Sequence, residues 1–286
     1  GWDMTIYKLD DDNVTWVEQN TTTTTDANWT TIIGKNNLLA GTYKIEETLQ
    51  EDWFEVARAT DCSFTYDPNV DGNRSDYECI ISNALYSQIT IEKVVEGTPP
   101  TDDFNFTQDI NSSVVLALNH GESEVFENVR FGSYSVVEND PAPDYLLSNL
   151  VCNETGLTNS VTDLLLRKAT INIEPGEAVT CTFTNREKGK VNVVKLEDGG
   201  ETSEVWTFTI EGPEGIMERD TSSGALNFED ARLVPGTVYT LCEINVHTLW
   251  DANWTLNGTP IDPILTEDNG TVDRCYDFSV DVGETA

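Results

Sequence analysis

Hydrophobic and polar residues alternate along most of this chain, and turn residues interrupt the alternation. The segments 180–184, 191–194 and 206–210 show it most clearly, with β-branched and aromatic residues at every second position. A period of two is typical of half-buried β-strands. The apolar segment 164–169 has a helical composition, but it is too short for a capped helix. The pattern therefore predicts an all-β protein in which short strands form β-sandwiches.

One order of three motifs recurs: a strand ending in Lys, then Gly-x-Tyr-x-x-x-Glu, then a closing strand ending in Asn. The copies lie at 4–8, 41–47 and 79–83, at 89–93, 132–138 and 181–185, and at 191–195 and 236–243. The third copy has one residue inserted after Gly236 and no closing Asn strand. This repeat predicts three units, 1–87, 88–187 and 188–286, the third without its closing strand. The short linkers between the units predict a stiff rod.

The chain is strongly acidic, with 16 basic and 51 acidic residues among 286 and a formal net charge of -35. Such a surface repels phosphate backbones and anionic lipids, so we expect no nucleic-acid partner. No apolar run approaches the ~20 residues that cross a bilayer, so we expect no membrane insertion. No signal peptide is visible, which indicates a mature or excised piece of a secreted protein.

Six cysteines fall as two in each unit. An even number, paired within repeats, is typical of disulfides formed in an oxidising compartment. Bound metal or buried free thiols are the alternatives, but the chain has no Cys-x-x-Cys motif and only 2 His. The predicted pairs are Cys62–Cys79, Cys152–Cys181 and Cys242–Cys275.

Ten asparagines stand in Asn-x-Ser/Thr sequences, which are acceptor signals for N-glycosylation. A Thr-rich chain produces such triplets by chance, yet they agree with the cysteines on an extracellular, cell-surface location. The candidate glycosylation sites are Asn13, Asn20, Asn28, Asn73, Asn105, Asn111, Asn153, Asn253, Asn257 and Asn269.

The recurring Lys, Tyr-x-x-x-Glu and Asn strands resemble those of collagen-adhesin B-type domains, also called SpaA-like or prealbumin-like domains. That family builds the stalks of bacterial adhesins and the backbones of pili. The resemblance covers the whole chain and implies three tandem Greek-key β-sandwiches of the prealbumin, or inverse-immunoglobulin, type. It also implies a spontaneous isopeptide bond, in which the Lys amine attacks the side-chain amide of the Asn, the Glu assists and ammonia leaves.

This chemistry requires burial, which favours a neutral Lys amine and a protonated Glu, and rigid strands that hold the groups together. The resemblance assigns it to Lys8, Glu47 and Asn83 in the first unit and to Lys93, Glu138 and Asn185 in the second. In the first unit Glu46 competes with Glu47 for the role. The alternative is that these lysines are exposed strand ends that pair with ordinary surface carboxylates.

The third unit departs from the family pattern. Its segment 279–286 aligns with 172–178, ahead of the closing strand, so Lys195 and Glu243 have no acceptor Asn. If Ala286 is the mature end, a strand from another copy would complete the sandwich and join copies head to tail. The alternative is that the next residues of the same polypeptide complete it.

The segment 67–78 fits the calcium-loop pattern D-x-[DN]-x-[DN]-G-x5-E. Here the loop joins two strands rather than two helices, which weakens the final Glu, and a glycan on Asn73 would compete with a metal. The alternative is a solvated acidic hairpin loop. The candidate calcium ligands are Asp67, Asn69, Asp71, Asn73, Ser75 and Glu78, and we expect no other cofactor.

No catalytic motif is visible, so we expect a protein that is not an enzyme. The leading hypothesis is an extracellular structural protein in a surface filament, a pilus-like fibre or an adhesin stalk, with other copies of itself as partners. The alternative is a ligand-binding adhesin or surface-coat module that recognises sugars or protein through exposed tryptophans. These would be Trp16, Trp29, Trp53, Trp250 and Trp254.

Overall fold

A computed structural model describes residues 1–24, 38–59, 62–70, 77–157, 160–197, 200–201, 204–213, 215–220, 225–227, 233–247, 251–268 and 270–285. The regular structure in these ranges consists of β-strands, with no α-helix, as the alternation predicts. Across the same ranges there is accordingly no helix of the length and hydropathy that a bilayer crossing requires.

The first unit has two sheets. Its strands are β1 (Asp3–Leu9), β2 (Trp16–Thr23), β3 (Gly41–Thr48), β4 (Trp53–Arg58), β5 (Ser63–Tyr66) and β6 (Ile81–Leu85). One sheet has the order β2-β1-β3-β5, and β4 and β6 form the other. All of these pairs are antiparallel. Ile6 and Tyr43 of the first sheet and Phe54 of the second are buried.

The second unit is a sandwich of a four-stranded and a five-stranded sheet. Its strands are β7 (Ser87–Glu96), β8 (Phe104–Gln108), β9 (Leu116–Leu118), β10 (Ser123–Val129), β11 (Gly132–Glu138), β12 (Tyr145–Glu154), β13 (Val161–Asp163), β14 (Lys168–Ile173) and β15 (Ala178–Glu187). The sheet orders are β10-β7-β15-β12 and β13-β14-β11-β8-β9. The first strand of the unit, β7, runs parallel to its last strand, β15.

Strand alternation places polar residues inside this sandwich. Ile89, Ile91 and Val95 of β7 are buried at every second position, and Lys93 occupies the same buried row. In β15 the buried row of Val179, Cys181 and Phe183 continues into Asn185. Because a period of two fixes which side chains face the core, burial of Lys93 and Asn185 follows from their apolar neighbours.

The third unit has a five-stranded sheet and several short two-stranded ones. Its strands are β16 (Asn192–Val194), β17 (Leu196–Glu197), β18 (Gly200–Glu201), β19 (Thr207–Gly212), β20 (Gly215–Asp220), β21 (Ala225–Asn227), β22 (Tyr239–His247), β23 (Trp254–Leu256), β24 (Thr259–Ile261), β25 (Ile264–Asp268) and β26 (Thr271–Phe278). The larger sheet has the order β20-β19-β22-β26-β25, and β16 pairs with β21. Trp206, Phe208 and Ile210 are part of its core.

The Gly-x-Tyr strand has the same neighbours in all three units. Its Glu pairs with an apolar residue on the strand beside it: Glu47 with Met4, Glu138 with Phe106, and Glu243 with Phe208. By this register β1 corresponds to β8 and β19, which are preceded in their units by a lysine-bearing strand or segment. The assignment of 4–8 as the lysine strand of the first unit is therefore wrong.

Three disulfides join neighbouring segments, in the pairs that the cysteine spacing predicts: Cys62–Cys79, Cys152–Cys181 and Cys242–Cys275. Cys152 and Cys181 lie directly opposite each other on β12 and β15, so the bond ties the closing strand of the second unit to its sheet neighbour. In the third unit the bond instead ties the glutamate strand β22 to β26.

Replacing both Cys152 and Cys181 with Ala is expected to destabilise the second unit by about 2–4 kcal/mol, because the closed loop no longer restricts the unfolded chain. Hydrogen exchange of β12 and β15 measures the loss. The matched control, Ala at both Cys62 and Cys79, should leave exchange in these strands unchanged. Non-reducing peptide mapping that found free thiols, or bonds between units, would contradict the pairing.

Candidate cross-link site

Lys93, Glu138 and Asn185 meet in the centre of the second sandwich, and each is fully buried. Lys93 Nζ lies 3.0 Å from Glu138 Oε1. Asn185 donates a hydrogen bond from Nδ2 to the same carboxyl oxygen, also at 3.0 Å. Lys93 Nζ further donates to the backbone carbonyl of Phe183 at 3.2 Å. Three strands of two sheets, β7, β11 and β15, thus bring the amine, the carboxyl group and the side-chain amide together.

Burial shifts both ionisable groups towards their neutral forms. Desolvation lowers the pKa of Lys93, although the nearby charge of Glu138 opposes the shift. Desolvation also raises the pKa of Glu138 against the opposing influence of Lys93 and Asn185. Both shifts are in the direction of a neutral amine beside a protonated carboxyl group, the pair of protonation states that attack on an amide requires.

Two oxygens of the cluster, Glu138 Oε2 and Asn185 Oδ1, are buried without a hydrogen-bond partner. A buried unpaired oxygen is costly. A protonated Glu138 would supply the O–H donor that the amide oxygen lacks and would polarise its carbonyl carbon. Proton transfer from Lys93 through Glu138 to Asn185 Nδ2 would then allow ammonia to leave as the new C–N bond forms.

An aromatic ring covers the amine. Lys93 Nζ lies 4.5 Å from the centre of the Phe104 ring, and Phe104 packs edge-on against Tyr145 with ring centroids 5.4 Å apart. In the third unit Lys195 Nζ lies 3.9 Å from the Trp206 ring. Phe104 and Trp206 have the same position, two residues before the partner of the glutamate. The sequence motifs do not include this aromatic residue. Its constant spacing along the sequence from the lysine of both units could have revealed it.

In the first unit Lys8 does not approach Glu47. Lys8 pairs with Tyr43, whereas Glu47 pairs with Met4, four residues further along the same two strands. At about 3.3 Å per residue these two side chains are roughly 13 Å apart along the strands. The Nζ end of Lys8 instead lies over Gly41. Lys8 is thus excluded from the predicted set because it belongs to a different strand of the sandwich.

The other two predicted residues of the first unit do meet. Asn83 donates from Nδ2 to Glu47 Oε2 at 2.6 Å, and its Oδ1 is buried without a hydrogen-bond partner. Glu46 faces the other side of β3 and binds Lys44 Nζ at 2.6 Å. Glu47, not Glu46, therefore has the position that Glu138 has in the second unit.

In the third unit the glutamate binds two cations. Glu243 is 1% exposed, and its Oε1 lies 2.5 Å from Lys195 Nζ. Its Oε2 lies 3.6 Å from Nη1 of Arg274, on the neighbouring strand β26. In the second unit the matching arginine, Arg167, donates to the backbone carbonyl of Glu138 instead. The motifs did not reveal Arg274, which makes this site an ion cluster.

Two family models match this chain. The SpaA family, described as a prealbumin-like fold domain, matches residues 89–187 and, through a second pattern, 189–284. The two matched segments together cover more than half of the chain.

The chain belongs to the SpaA prealbumin-like family.

Solved structures include several similar to this SpaA-like chain, whereas a search of curated proteins finds no match. A streptococcal ancillary pilin is 13% identical, with 99% of this chain and 91% of the pilin covered and a TM-score of 0.32. An adhesin from Mobiluncus mulieris that contains intramolecular disulfide, isopeptide and ester cross-links is 10% identical, with 64% and 84% covered and a TM-score of 0.30. The Bacillus anthracis TIE protein is 14% identical with a TM-score of 0.25; 99% of this chain is covered, and it spans 50% of that protein.

The candidate calcium loop of the first unit is described only in part. Asp67 Oδ1 accepts a hydrogen bond from the backbone N–H of Asn69 at 2.8 Å, which stabilises the turn. Asp71, Asn73 and Ser75 lie outside the described residues. Within the described ranges, no three acidic, His or Cys side chains converge as a metal site would require. Calcium binding at 67–78 stays a prediction.

The tryptophans proposed for ligand binding are dispersed. Trp53 packs edge-on against buried Trp2 at 5.1 Å, and Trp16 lies 4.8 Å below Lys44 Nζ. Trp254 is half-buried in the β23–β24 hairpin, and Trp29 and Trp250 lie outside the described residues. Among the glycosylation candidates, the exposed ones are Asn13, Asn20, Asn105, Asn111, Asn153, Asn253 and Asn257, while Asn28, Asn73 and Asn269 also lie outside the described residues.

Proposed function

We propose that this chain is a structural segment of an extracellular surface fibre, such as a pilus or an adhesin stalk. Membership of the SpaA prealbumin-like family supports a structural role at the cell surface. The observation that carries the proposal is the buried cluster of Lys93, Glu138 and Asn185. It links the first and last strands of one unit, so a covalent bond there would transmit tension across the unit without unfolding it.

An extracellular location and a reaction that occurs only once in each molecule would both fit this role. Disulfides persist in oxidising, extracellular surroundings, and the exposed Asn-x-Ser/Thr sites are accessible to glycosylation there. A bond between Lys93 and Asn185 consumes both side chains and forms once in each molecule. The site would thus act on its own chain, which makes the protein a structural element rather than an enzyme.

We also propose that copies of the chain associate head to tail through the third unit. The backbone N–H of Lys190 donates to Glu284 at 2.8 Å, and Lys190 pairs in parallel with Thr285. The matching contact in the second unit, from Gln88 to Glu177 at 2.9 Å, begins the β7–β15 ladder. A strand donated by another copy would continue this parallel pairing beside residues 191–195. The alternative is that a later strand of the same polypeptide does so.

Intact-mass measurement of the native protein tests the cross-link. The expected mass is that of the sequence less six hydrogens for three disulfides and one ammonia for the bond from Lys93 to Asn185, with any glycans added. Tryptic digestion should leave Lys93 uncut. A mass without loss of ammonia, with Lys93 recovered as an ordinary cleavage site, would overturn the proposed role of the site. Separation of native fibres into single chains by boiling detergent would show that copies are not covalently joined.

A further inference from the structure

The second sandwich has a groove beside β10. This strand is the outer strand of the four-stranded sheet, and among the described residues it pairs with β7 alone. The groove lies between β10 and the loop that joins β8 to β9, and its cavity volume is about 370 Å³. A cavity of this size falls within the range of sites that hold small ligands.

The lining of the groove is apolar at the base and polar at the edge. The base consists of half-buried side chains that also pack against the core: Ile110, Val114 and Tyr134. The edge consists of exposed polar side chains at the end of β10 and just after it: Glu127, Asn128 and Arg130. A sugar ring, which is apolar on its faces and carries hydroxyl groups around them, matches this distribution.

A candidate glycan acceptor lines the same groove. Asn111 is exposed and begins the acceptor sequence Asn111-Ser112-Ser113. Its Oδ1 accepts a hydrogen bond from the backbone N–H of Ser113 at 3.0 Å. Its Nδ2, the atom to which a glycan is attached, makes no hydrogen bond to any described residue. The acceptor nitrogen is therefore available at the groove.

Gln108 holds the acceptor loop in place. Its Oε1 accepts a hydrogen bond from the backbone N–H of Asn111 at 2.9 Å. Its Nε2 donates to the backbone carbonyls of Asn111 at 2.6 Å and of Val114 at 2.9 Å. Because Gln108 belongs to β8, these bonds fix Asn111 relative to the sandwich and to the groove.

Two other acceptors differ from Asn111 in the state of their amide nitrogen. Nδ2 of Asn257 donates to Glu284 Oε1 at 3.1 Å. Nδ2 of Asn105 donates to the backbone carbonyl of Asp103 at 3.4 Å. A glycan on either residue would replace a hydrogen of a donor that is already in use.

We propose that Asn111 carries an N-linked glycan whose first sugars occupy this groove and cover the edge of β10. The occupant is a saccharide because the acceptor that would tether it belongs to the lining. Val125 of β10 also lines the groove and is 44% exposed. An open strand edge with exposed apolar side chains can pair with strands of other molecules. A sugar there would prevent such sideways pairing and leave the ends of the chain free.

The attachment step needs a glycosyl donor, an oligosaccharide linked through a pyrophosphate to a lipid, and a transferase of the secreting cell. The anomeric carbon of the donor forms a bond with Asn111 Nδ2 as its bond to the phosphate oxygen breaks. Nδ2 loses one proton, and the lipid pyrophosphate leaves. The proposal rests on the extracellular location in the proposed function, but it does not require the bond from Lys93 to Asn185.

The test begins with glycopeptide mapping of the native protein, which should find a saccharide on Asn111. Ser113→Ala, produced in the same organism, then removes the acceptor sequence but keeps Asn111 and the backbone N–H that binds it. Without the sugar, amides of β10 should exchange hydrogen severalfold faster than in the native protein. In the native protein, nuclear Overhauser effects should connect the Tyr134 ring with sugar protons.

Asn105→Gln is the matched control, because it removes an acceptor of the same unit that does not line the groove. It should leave hydrogen exchange in β10 unchanged. An unmodified Asn111, a glycan whose loss leaves exchange in β10 unchanged, or a native β10 paired with a strand of another chain would each overturn the proposal. Loss of ammonia at Lys93 and Asn185 is read from other peptides, so failure of that bond and failure of this proposal are distinguishable.

Discussion

Glu138→Gln is expected to leave the second sandwich folded but to prevent the proposed bond from Lys93 to Asn185, so the variant should retain the ammonia that forming this bond would release. Gln has nearly the same size but cannot carry a proton from Lys93 to the leaving amide nitrogen. Losing a cross-link that closes a loop of about 90 residues should destabilise the unit by about 4 kcal/mol. For a unit of this size the loss corresponds to a melting temperature lower by roughly 15–30 °C. Calorimetry and intact-mass measurement on the whole chain give both quantities.

The control for this experiment is Glu47→Gln, which changes the equivalent glutamate in the first unit. It should leave the mass and the melting of the second unit unchanged. Asn185→Ala should lose the same bond, and the double variant with Glu138→Gln should show no further loss of cross-link stabilisation, since both changes remove one interaction. A Glu138→Gln protein that still lacks one ammonia would show that Glu138 is not needed for the bond.

The second unit was predictable because its local pattern and its tertiary contacts agree. Alternation put Lys93 and Asn185 in rows of apolar residues, and a charged or amide side chain in such a row must find a partner inside the sandwich. The cysteine pairs were predictable for a similar reason, since each pair falls within one repeat. The all-β fold follows from the same alternation.

The first unit shows what a local pattern cannot decide. Residues 4–8 alternate like a lysine strand, but alternation does not specify which strand of a sandwich a segment becomes. The spacing between the lysine and the glycine of the Gly-x-Tyr strand differs in the first unit. Gly132 follows Lys93 by 39 residues and Gly236 follows Lys195 by 41, whereas Gly41 follows Lys8 by only 33. The role of Arg274 could not be predicted from the sequence, because it depends on the register between β22 and β26 rather than on any motif.

The third unit should respond to loss of its glutamate through charge rather than through a covalent bond. Glu243→Gln removes the carboxylate that Lys195 and Arg274 share, and it leaves two cations close together, with Arg274 only 6% exposed. Removing one partner of a buried ion pair typically costs about 3–5 kcal/mol, so we expect the unit to be destabilised by that amount. Hydrogen exchange of β22 and β26 in the whole chain measures the effect.

Glu218→Gln is the matched control, because Glu218 is exposed on β20 of the same unit, and its loss should change stability by less than about 0.5 kcal/mol. Combining Glu243→Gln with Arg274→Met should recover part of the loss, since the second change removes one of the two cations that the Glu243 carboxylate had bound. Lys195 should be recovered as an ordinary tryptic site throughout. If Glu243→Gln left exchange in β22 and β26 unchanged, the ion cluster would not stabilise the third unit and the prediction would be wrong.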